Sequence, residues 1–595
     1  MAQDRKLQKL ELTWVGKYDE QQPLEPRILI ENPEYSYGEV ETEMLPNGKP
    51  WKGNMLIHGD NLLALKALEQ DYAGCVKCIY IDPPYNTGSA FEYYDDNLQH
   101  SIWLDLMYRR LQTLKNLLSD DGFICCHIDD SEGHYLKTLM DEVFGRNNYL
   151  TTFYVRVRYA DKTLKQDMDY HKEIEYIHVY RKNYGAKPNK NEIIETFEKF
   201  NYYFTEGSPA KTITLGGKKV DIFEKGQWSV EQRNGSKDGR KEIWASGTIL
   251  DGNSSGRFFR DYLTGRYNDD GYGVLYKVYG IGDDNFEYRY FTGPQKEGAT
   301  KGKYYQGVPT SQLESKEVVK YAPINNFYDL AANFGNCRTE GGAEFRGGKK
   351  PEILLQLILS HFSNDGDLIL DSFLGSGTTA AVATKMKRKF IGIEMGNHSY
   401  SLCYPRLKKV ISGNDQTGIS KAQNWKGGGG FRFYELAPSL LKEDKFGNLV
   451  INKEYNADML AAAMAKQEGF TYEPSAEHYW KQGYSHESDY IYTTTQFMTV
   501  EGLAAIAEQM KEGETLLVCC TAFQKECRNA FPNITIKKIP QMLLGRCEFA
   551  HDDYSLNIVE LPVVEEDEFE EEQDEAIEEV AAAPAPAEET QQELF

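Results

Sequence analysis

The sequence predicts an α/β fold on an open, mainly parallel sheet, and three stretches predict it. Val76–Ile81 is an apolar run that ends at Asp82-Pro83-Pro84-Tyr85. Asp367–Phe373 is a second, running through Leu374-Gly375-Ser376-Gly377-Thr378-Thr379 into the Ala-rich helical stretch Ala380 to Met386. Lys389–Glu394 is a third, closing on an acid. Strand, loop and helix in that order put the loops at the carboxyl ends of buried strands, where open α/β sheets keep their chemistry.

The other elements follow from periodicity. Met55–His58, Lys77–Ile81 and Gly122–His127 read as strands separated by amphipathic helices, the second at Ser101–Leu118 with apolar residues at helical spacing. Phe153–Val157 and Glu175–Tyr180 read as an antiparallel hairpin. From Asn191 to Lys320 the chain is rich in Gly, Tyr, Asn and Lys, with short strands expected at Val274–Val278 and Phe286–Phe291. Beyond Glu435 a helix is expected at Ala457–Gln467, then strand, helix and strand at Tyr490–Phe497, Val500–Lys511 and Thr515–Ala522.

Asp-Pro-Pro-Tyr suits one kind of substrate. The exocyclic amino group of a nucleobase is a poor nucleophile because its lone pair is delocalised into the ring. Asp82 and the Pro83 carbonyl, accepting its two N–H bonds, would draw that nitrogen toward tetrahedral geometry. Consecutive prolines fix φ and remove competing donors, which preorganises the acceptors. Tyr85 offers a face for stacking; the alternative is an ordinary Pro-Pro turn. In the glycine loop, Gly375 and Gly377 permit close backbone approach, and the following helix start favours an anion. Glu394, about twenty residues on, suits a ribose diol. No Gly-Lys-Ser/Thr and no third fingerprint glycine follows, so an adenosine-like cofactor is expected rather than a nucleoside triphosphate or NAD.

Taken together, these motifs resemble the S-adenosylmethionine-dependent amino-methyltransferases of DNA in their circularly permuted β group, and most closely the modification subunits of type III restriction-modification systems. The resemblance runs from about Met55 to Glu435. It includes Ile57 to Leu62, Tyr80 to Gly88, Phe123 to Asp130, His171-Lys172-Glu173 leading into Tyr176 to Asn183, Gly348 to Pro351, and Trp425-Lys426 with Gly427 to Gly430 before Phe431-Arg432-Phe433. It implies a Rossmann-like methyltransferase sheet assembled from two separated segments. It implies that Asp82, Pro83, Pro84 and Tyr85 form the pocket of a flipped base, with Asp at the first position favouring adenine N6 over cytosine N4 without excluding cytosine. Asp371, Phe373, Gly375, Gly377, Thr378 and Thr379 would cradle the methionine part of S-adenosylmethionine, with Lys350 and Pro351 closing that end. Glu394 would take the ribose and Asp60 the adenine edge. For Asp60 the alternative is a helix N-cap, and for Lys350-Pro351 an exposed lysine beside an N1 proline. No metal is required.

The implied organisation is an N-terminal arm (1–50), a first catalytic segment (51–190), a target-recognition insertion (191–320), a second catalytic segment (321–435), a C-terminal α/β module (436–562) and an acidic tail (563–595). Charge agrees with a DNA-contacting insertion. Residues 151–350 hold 32 Lys+Arg and 27 Asp+Glu, a net of +5, so the rest carries −29 of the overall −24. Arg156, Arg158, Lys162, Lys165, Arg233, Arg240, Arg257 and Arg260 are candidate phosphate or base contacts, each with a solvated surface charge as its alternative. The resemblance implies a homodimer and a helicase-nuclease partner for the C-terminal module, which is otherwise a stabilising appendage.

With 595 residues and 41% hydrophobic content the chain has material for several cores. The start Met-Ala-Gln-Asp-Arg lacks an apolar signal segment, and a cytoplasmic location is expected. Ten cysteines, several in predicted strands, read as reduced core residues. Residues 565–595 hold 14 acids and no Lys or Arg, a composition expected to be disordered. The terminus Gln591-Gln592-Glu593-Leu594-Phe595 resembles peptides that dock in bacterial sliding clamps.

Overall fold

The computed structural model describes residues 11–19, 22–40, 42–85, 96–160, 170–194, 197–245, 254–299, 301–310, 319–342, 344–345, 348–486 and 488–554. The acidic tail and the clamp-like terminus lie outside them. The chain divides into two compact units: Met1–Ala186 with Asp329–Gln356 and Asn364–Phe595, and Lys187–Tyr328 with Leu357–Ser363.

The first unit is built on one mixed sheet. Nine of its eleven strands are β1 (Leu29–Glu31), β2 (Asn54–His58), β3 (Val76–Ile81), β4 (Leu118–Ile128), β5 (Tyr149–Arg156), β6 (Ile174–Arg181), β7 (Leu368–Asp371), β8 (Lys389–Glu394) and β9 (Gly430–Leu436). They lie in the order β1-β9-β2-β8-β7-β3-β4-β6-β5. From β9 to β4 every neighbour is parallel, and β6 then runs antiparallel to both β4 and β5. The late strands β7 and β8 slot between the early strands β2 and β3, so the middle of the sheet is filled by residues far along the chain. This is the permuted, Rossmann-like methyltransferase sheet.

Helices α1 (Asn61–Tyr72), α2 (Asp96–Leu117), α3 (Gly133–Met140), α4 (Glu352–Phe362), α5 (Thr378–Lys385) and α6 (Tyr404–Ile411) belong to the same scaffold. Leu62, Leu63, Leu65, Leu68 and Tyr72 give α1 its buried side, which shares a core with Trp103, Met107 and Leu111 of α2 and with Ile79, Ile124, Leu370 and Ile391 of the strands. Helix α2 begins at Asp96, earlier than the expected Ser101. Strand β4 begins at Leu118 rather than Gly122, because buried Leu118 pairs with Val76 ahead of a register irregularity between Val76 and Cys78. Gly122 sits at that irregularity, where an added Cβ would meet the Ser119 and Val76 carbonyls at 2.9 Å.

Residues 436–554 fall in the first unit. Their sheet runs Thr471–Tyr472, Gly483–His486, Asp489–Met498, Thr515–Phe523, Ile534–Lys538, with the last three strands parallel. The helix Val500–Ala507 ends before the expected Lys511, where the polar run Lys511-Glu512-Gly513 has no apolar face to bury. Among the described residues no helix is long and apolar enough to cross a membrane.

The second unit carries a six-stranded antiparallel sheet in the order Lys211–Leu215, Lys218–Phe223, Leu275–Tyr279, Tyr288–Thr292, Lys303–Gln306, Lys241–Trp244. One cluster buries Val220, Ile222, Phe258, Phe259 and Phe291; a second gathers Phe223, Tyr290 and Tyr305 with Phe204 and Trp228.

Candidate active site

Sheet order decides which residues meet. Asp60 follows β2, Glu394 ends β8, the glycine loop follows β7 and the Asp-Pro-Pro-Tyr loop follows β3, and these four strands are consecutive parallel neighbours. Their carboxyl ends therefore form one row, three strand spacings or about 14 Å from end to end.

At the β3 end the tetrapeptide is held from within and from behind. Pro83 is buried and the Pro84 carbonyl accepts the Trp103 indole N–H at 2.7 Å. The Tyr85 hydroxyl donates to Asp82 Oδ1 at 2.8 Å and also lies 3.2 Å from Glu175 Oε2. Lys350 Nζ donates to the Tyr85 oxygen at 2.8 Å and contacts Asp82 Oδ2 at 3.1 Å and Glu175 Oε2 at 3.4 Å. His127 Nε2 lies 2.8 Å from that same Glu175 oxygen, and its Nδ1 is 2.7 Å from the Tyr80 hydroxyl. Burial works to raise the Glu175 carboxyl, yet the ammonium of Lys350 and the ring of His127 hold it well below the usual carboxylate range. Burial likewise opposes the charge on Lys350, but Asp82 and Glu175 outweigh it and raise its pKa. Burial among these acids pushes the Tyr85 phenol up. Lys350 was expected at the methionine end of the cofactor; the structure places its ammonium on the tetrapeptide. Pro351 is buried just ahead of α4.

At the β7 end Asp371 is 2% exposed, and burial pushes its carboxyl up to about 7 even though the Thr379 hydroxyl (2.6 Å) and the Phe373 N–H (2.9 Å) donate to it. Phe373 is half-buried against the sheet core. Gly375 has φ +56°, a left-handed conformation that favours glycine, and a Cβ added there would meet nothing within 4 Å. Gly377, at φ +79°, caps α5. The Thr378 hydroxyl accepts from Arg406 at 2.8 Å, which ties the loop to α6.

Glu394 and Asp60 already have backbone partners. Glu394 accepts from the Gly375 N–H at 2.7 Å and the Gly396 N–H at 2.9 Å. Asp60, 3% exposed, caps α1 by accepting from the Leu63 N–H at 3.0 Å; its second oxygen faces the Tyr554 N–H at 3.1 Å and Arg110 at 3.4 Å. The row thus holds a nucleophile-side pocket at one end and a loop, two acids and a helix start toward the other. That arrangement is able to place an adenosine-bearing ligand beside an amino group.

The DNA methylase family profile matches residues 76–404, from the strand before the tetrapeptide to the start of α6. The chain belongs to the DNA methylase family. Among the relatives, it is 35% identical over 425 residues to the probable type III restriction-modification enzyme HindVI Mod subunit of Haemophilus influenzae, covering 65% of this chain and 54% of that one. The StyLTI Mod subunit of Salmonella typhimurium is 28% identical, with 68% and 59% covered, and the EcoPI Mod subunit of Escherichia phage P1 is 27% identical, with 62% of each covered. The chain matches less than two thirds of the length of each of these relatives.

Sequence reasoning passed over several residues that this family member builds into the site. His127 lies in a stretch that carries the resemblance and Glu175 directly before another, and each had a signal: an ionisable side chain near the strand end that bears the loops. Trp103, Arg110 and Arg406 had none, since a helix position says nothing of the loop above it. The basic candidates fare differently. Arg240 is 5% exposed and stacks 3.8 Å from the Phe286 ring centroid. Arg156 is shared by Glu173 (2.9 Å) and Asp329 (3.1 Å), and Arg260 pairs with Asp261 at 2.6 Å. Lys162 and Lys165 lie outside the described residues.

Proposed function

We propose that this DNA methylase transfers the methyl group of S-adenosylmethionine to the N6 amino group of an adenine flipped out of duplex DNA, as the modification subunit of a type III-like restriction-modification or phage-defence system. One observation carries the reading: β3, ending in Asp82-Pro83-Pro84-Tyr85, pairs directly with β7, ending in the glycine loop. A base amino group on Asp82 and a cofactor on the loop would then be neighbours.

When bound, S-adenosylmethionine supplies a methyl group already activated on a sulfonium, so positioning dominates the catalysis. Asp82 and the Pro83 carbonyl accept the two amino N–H groups and expose the nitrogen lone pair. Tyr85 stacks on the extruded base, offsetting an unstacking cost of a few kcal/mol. Asp371, Phe373, Gly375, Gly377, Thr378, Thr379 and Pro351 belong to the methionine end, Glu394 to the ribose and Asp60 to the adenine edge, while Lys350 acts through the tetrapeptide that its ammonium contacts.

We infer the remaining organisation from the sequence resemblance and the charge of the insertion. Residues 191–320 serve target recognition on double-stranded DNA, the chain pairs as a homodimer in the cytoplasm, and its C-terminal module holds a helicase-nuclease subunit. Gln591–Phe595 docks a sliding clamp; unchanged clamp binding after deletion of Leu594 and Phe595 would refute that assignment.

The central test is methylation-sensitive sequencing of DNA from cells expressing the wild type or Asp82→Ala. A sequence-specific N6-methyladenine mark, lost in the variant, is expected. An N4-methylcytosine mark would reassign the base, and no mark from the wild type would leave a DNA-recognition subunit with little methylation activity.

A further inference from the structure

An amino group arriving at Asp82 must compete for it, because each of its oxygens already has a donor: Oδ1 the Tyr85 hydroxyl at 2.8 Å and Oδ2 Lys350 Nζ at 3.1 Å. Glu175 reaches both of those donors. Its Oε2 lies 3.2 Å from the Tyr85 hydroxyl and 3.4 Å from Lys350 Nζ. One phenol proton and one ammonium are thus shared between two carboxylates, and a carboxylate with about four lone-pair sites has room for both.

Resting on the methyl-transfer reading, we propose that Glu175 is a positioning residue that takes the Tyr85 hydroxyl and the Lys350 ammonium from Asp82 when the substrate amino group arrives. Asp82 is then free to accept the base N–H, and the tyrosine ring keeps its plane because its hydroxyl changes acceptor without leaving the cluster. Glu175 is fit for this because it is held still. His127, with a fully buried side chain, lies 2.8 Å from Glu175 Oε2, and Tyr80 stands behind the ring at 2.7 Å from Nδ1. Strand order brings this about: β4, bearing His127, lies between β3, bearing Tyr80 and Asp82, and β6, bearing Glu175.

The two carboxylates differ in what surrounds them. Besides the two shared donors, Glu175 has the His127 ring 2.8 Å from its Oε2. That ring and the Lys350 charge hold the Glu175 carboxyl below the usual carboxylate range against its burial, so it is a competing acceptor for the two donors. No bond is made or broken by the hand-over; two donors change acceptor.

The test compares full-length wild type, Glu175→Gln, Lys350→Met and the double variant on a duplex carrying the recognition site. That site is first found by methylation sequencing of the wild type. If the wild type leaves no mark, the functional proposal fails, and the hand-over fails with it. If it does, Glu175→Gln should lower kcat roughly ten- to a hundredfold, the loss of a charge-assisted acceptor. The KM for S-adenosylmethionine, DNA affinity and 2-aminopurine flipping fluorescence should stay near wild type. In the Lys350→Met background the same substitution should cost much less, since one of the two donors to be handed over is gone. Full multiplication of the two effects, or a kcat unchanged in Glu175→Gln, overturns the proposal. Should Glu175→Gln fail to fold, His127→Asn keeps the carboxylate but loosens it; a smaller fall in kcat at unchanged KM is expected, and an unchanged kcat overturns it.

Discussion

The Tyr85 hydroxyl donates to Asp82 Oδ1 at 2.8 Å, so two members of the tetrapeptide hold each other before any substrate is present. Tyr85→Phe keeps the stacking face and removes that bond and the contact with Glu175. Methyl transfer should fall roughly tenfold, the worth of a hydrogen bond to a charged group, with DNA affinity retained. Tyr85→Ala should lose a further ten- to a hundredfold, because base stacking on an aromatic ring is worth about 1–3 kcal/mol. Steady-state rates on one duplex check both.

Asp371 gives a pH signature. Its carboxyl is raised to about 7 from an ordinary 3.8, mainly by burial. A raised acid binds its proton more tightly folded than unfolded, so its contribution to stability is complete below about pH 4 and is lost as pH rises through 7, to a total on the order of 4 kcal/mol. Asp371→Asn imitates the protonated form and should remove that loss. Melting curves from pH 4 to 8 should show the variant gaining on the wild type as pH rises; parallel curves would refute the assignment. An ammonium from the cofactor's methionine end would ionise Asp371, so titration calorimetry near pH 7 in two buffers should detect about half a proton released.

Much of the catalytic scaffold was legible because buried parallel strands are short apolar runs and their loops carry Pro, Gly and acids with few other uses. Asp82 and Gly375 were readable for that reason. Lys350 was placed at the cofactor because its neighbours in sequence point there, but a lysine's long side chain lets it serve a site its backbone does not adjoin. That Glu175 and His127 reach Asp82 became visible only when strand order put β4 between β3 and β6. A carboxylate's role depends on which strand is its neighbour, and a single strand does not encode that.

The glycine loop rests on a buried ionic network. Lys385 donates to both oxygens of Glu352, at 2.9 and 2.7 Å, and lies 2.7 Å from Asp415, while Arg406 joins Glu352 (2.9 Å) to the Thr378 hydroxyl (2.8 Å). The side chains of Lys385, Glu352 and Arg406 are 0% exposed. Lys385→Met takes the ammonium from Asp415 and leaves Glu352 with Arg406 as its one remaining cation, and should cost about 3–5 kcal/mol. A lowered melting temperature is the first readout. Weaker cofactor binding at a temperature where the variant is folded is the second, since α5 begins at the loop.

Asp60 and Arg110 separate two roles that one carboxylate might hold. Asp60 caps α1 and faces Arg110, which is 2% exposed and also donates to the Tyr554 carbonyl at 3.1 Å. Arg110→Met strands a buried carboxylate and should destabilise by about 3–5 kcal/mol. Asp60→Asn alone strands the guanidinium instead. The double variant Asp60→Asn, Arg110→Met removes both charges while asparagine keeps the cap, so it should recover much of the loss, a coupling read from a double-mutant cycle in melting experiments. That folded double variant then isolates the cofactor role. If Asp60 reads the adenine edge, its Kd for S-adenosylmethionine should rise about tenfold or more, the worth of a charged acceptor. An unchanged Kd would leave Asp60 as the helix cap alone.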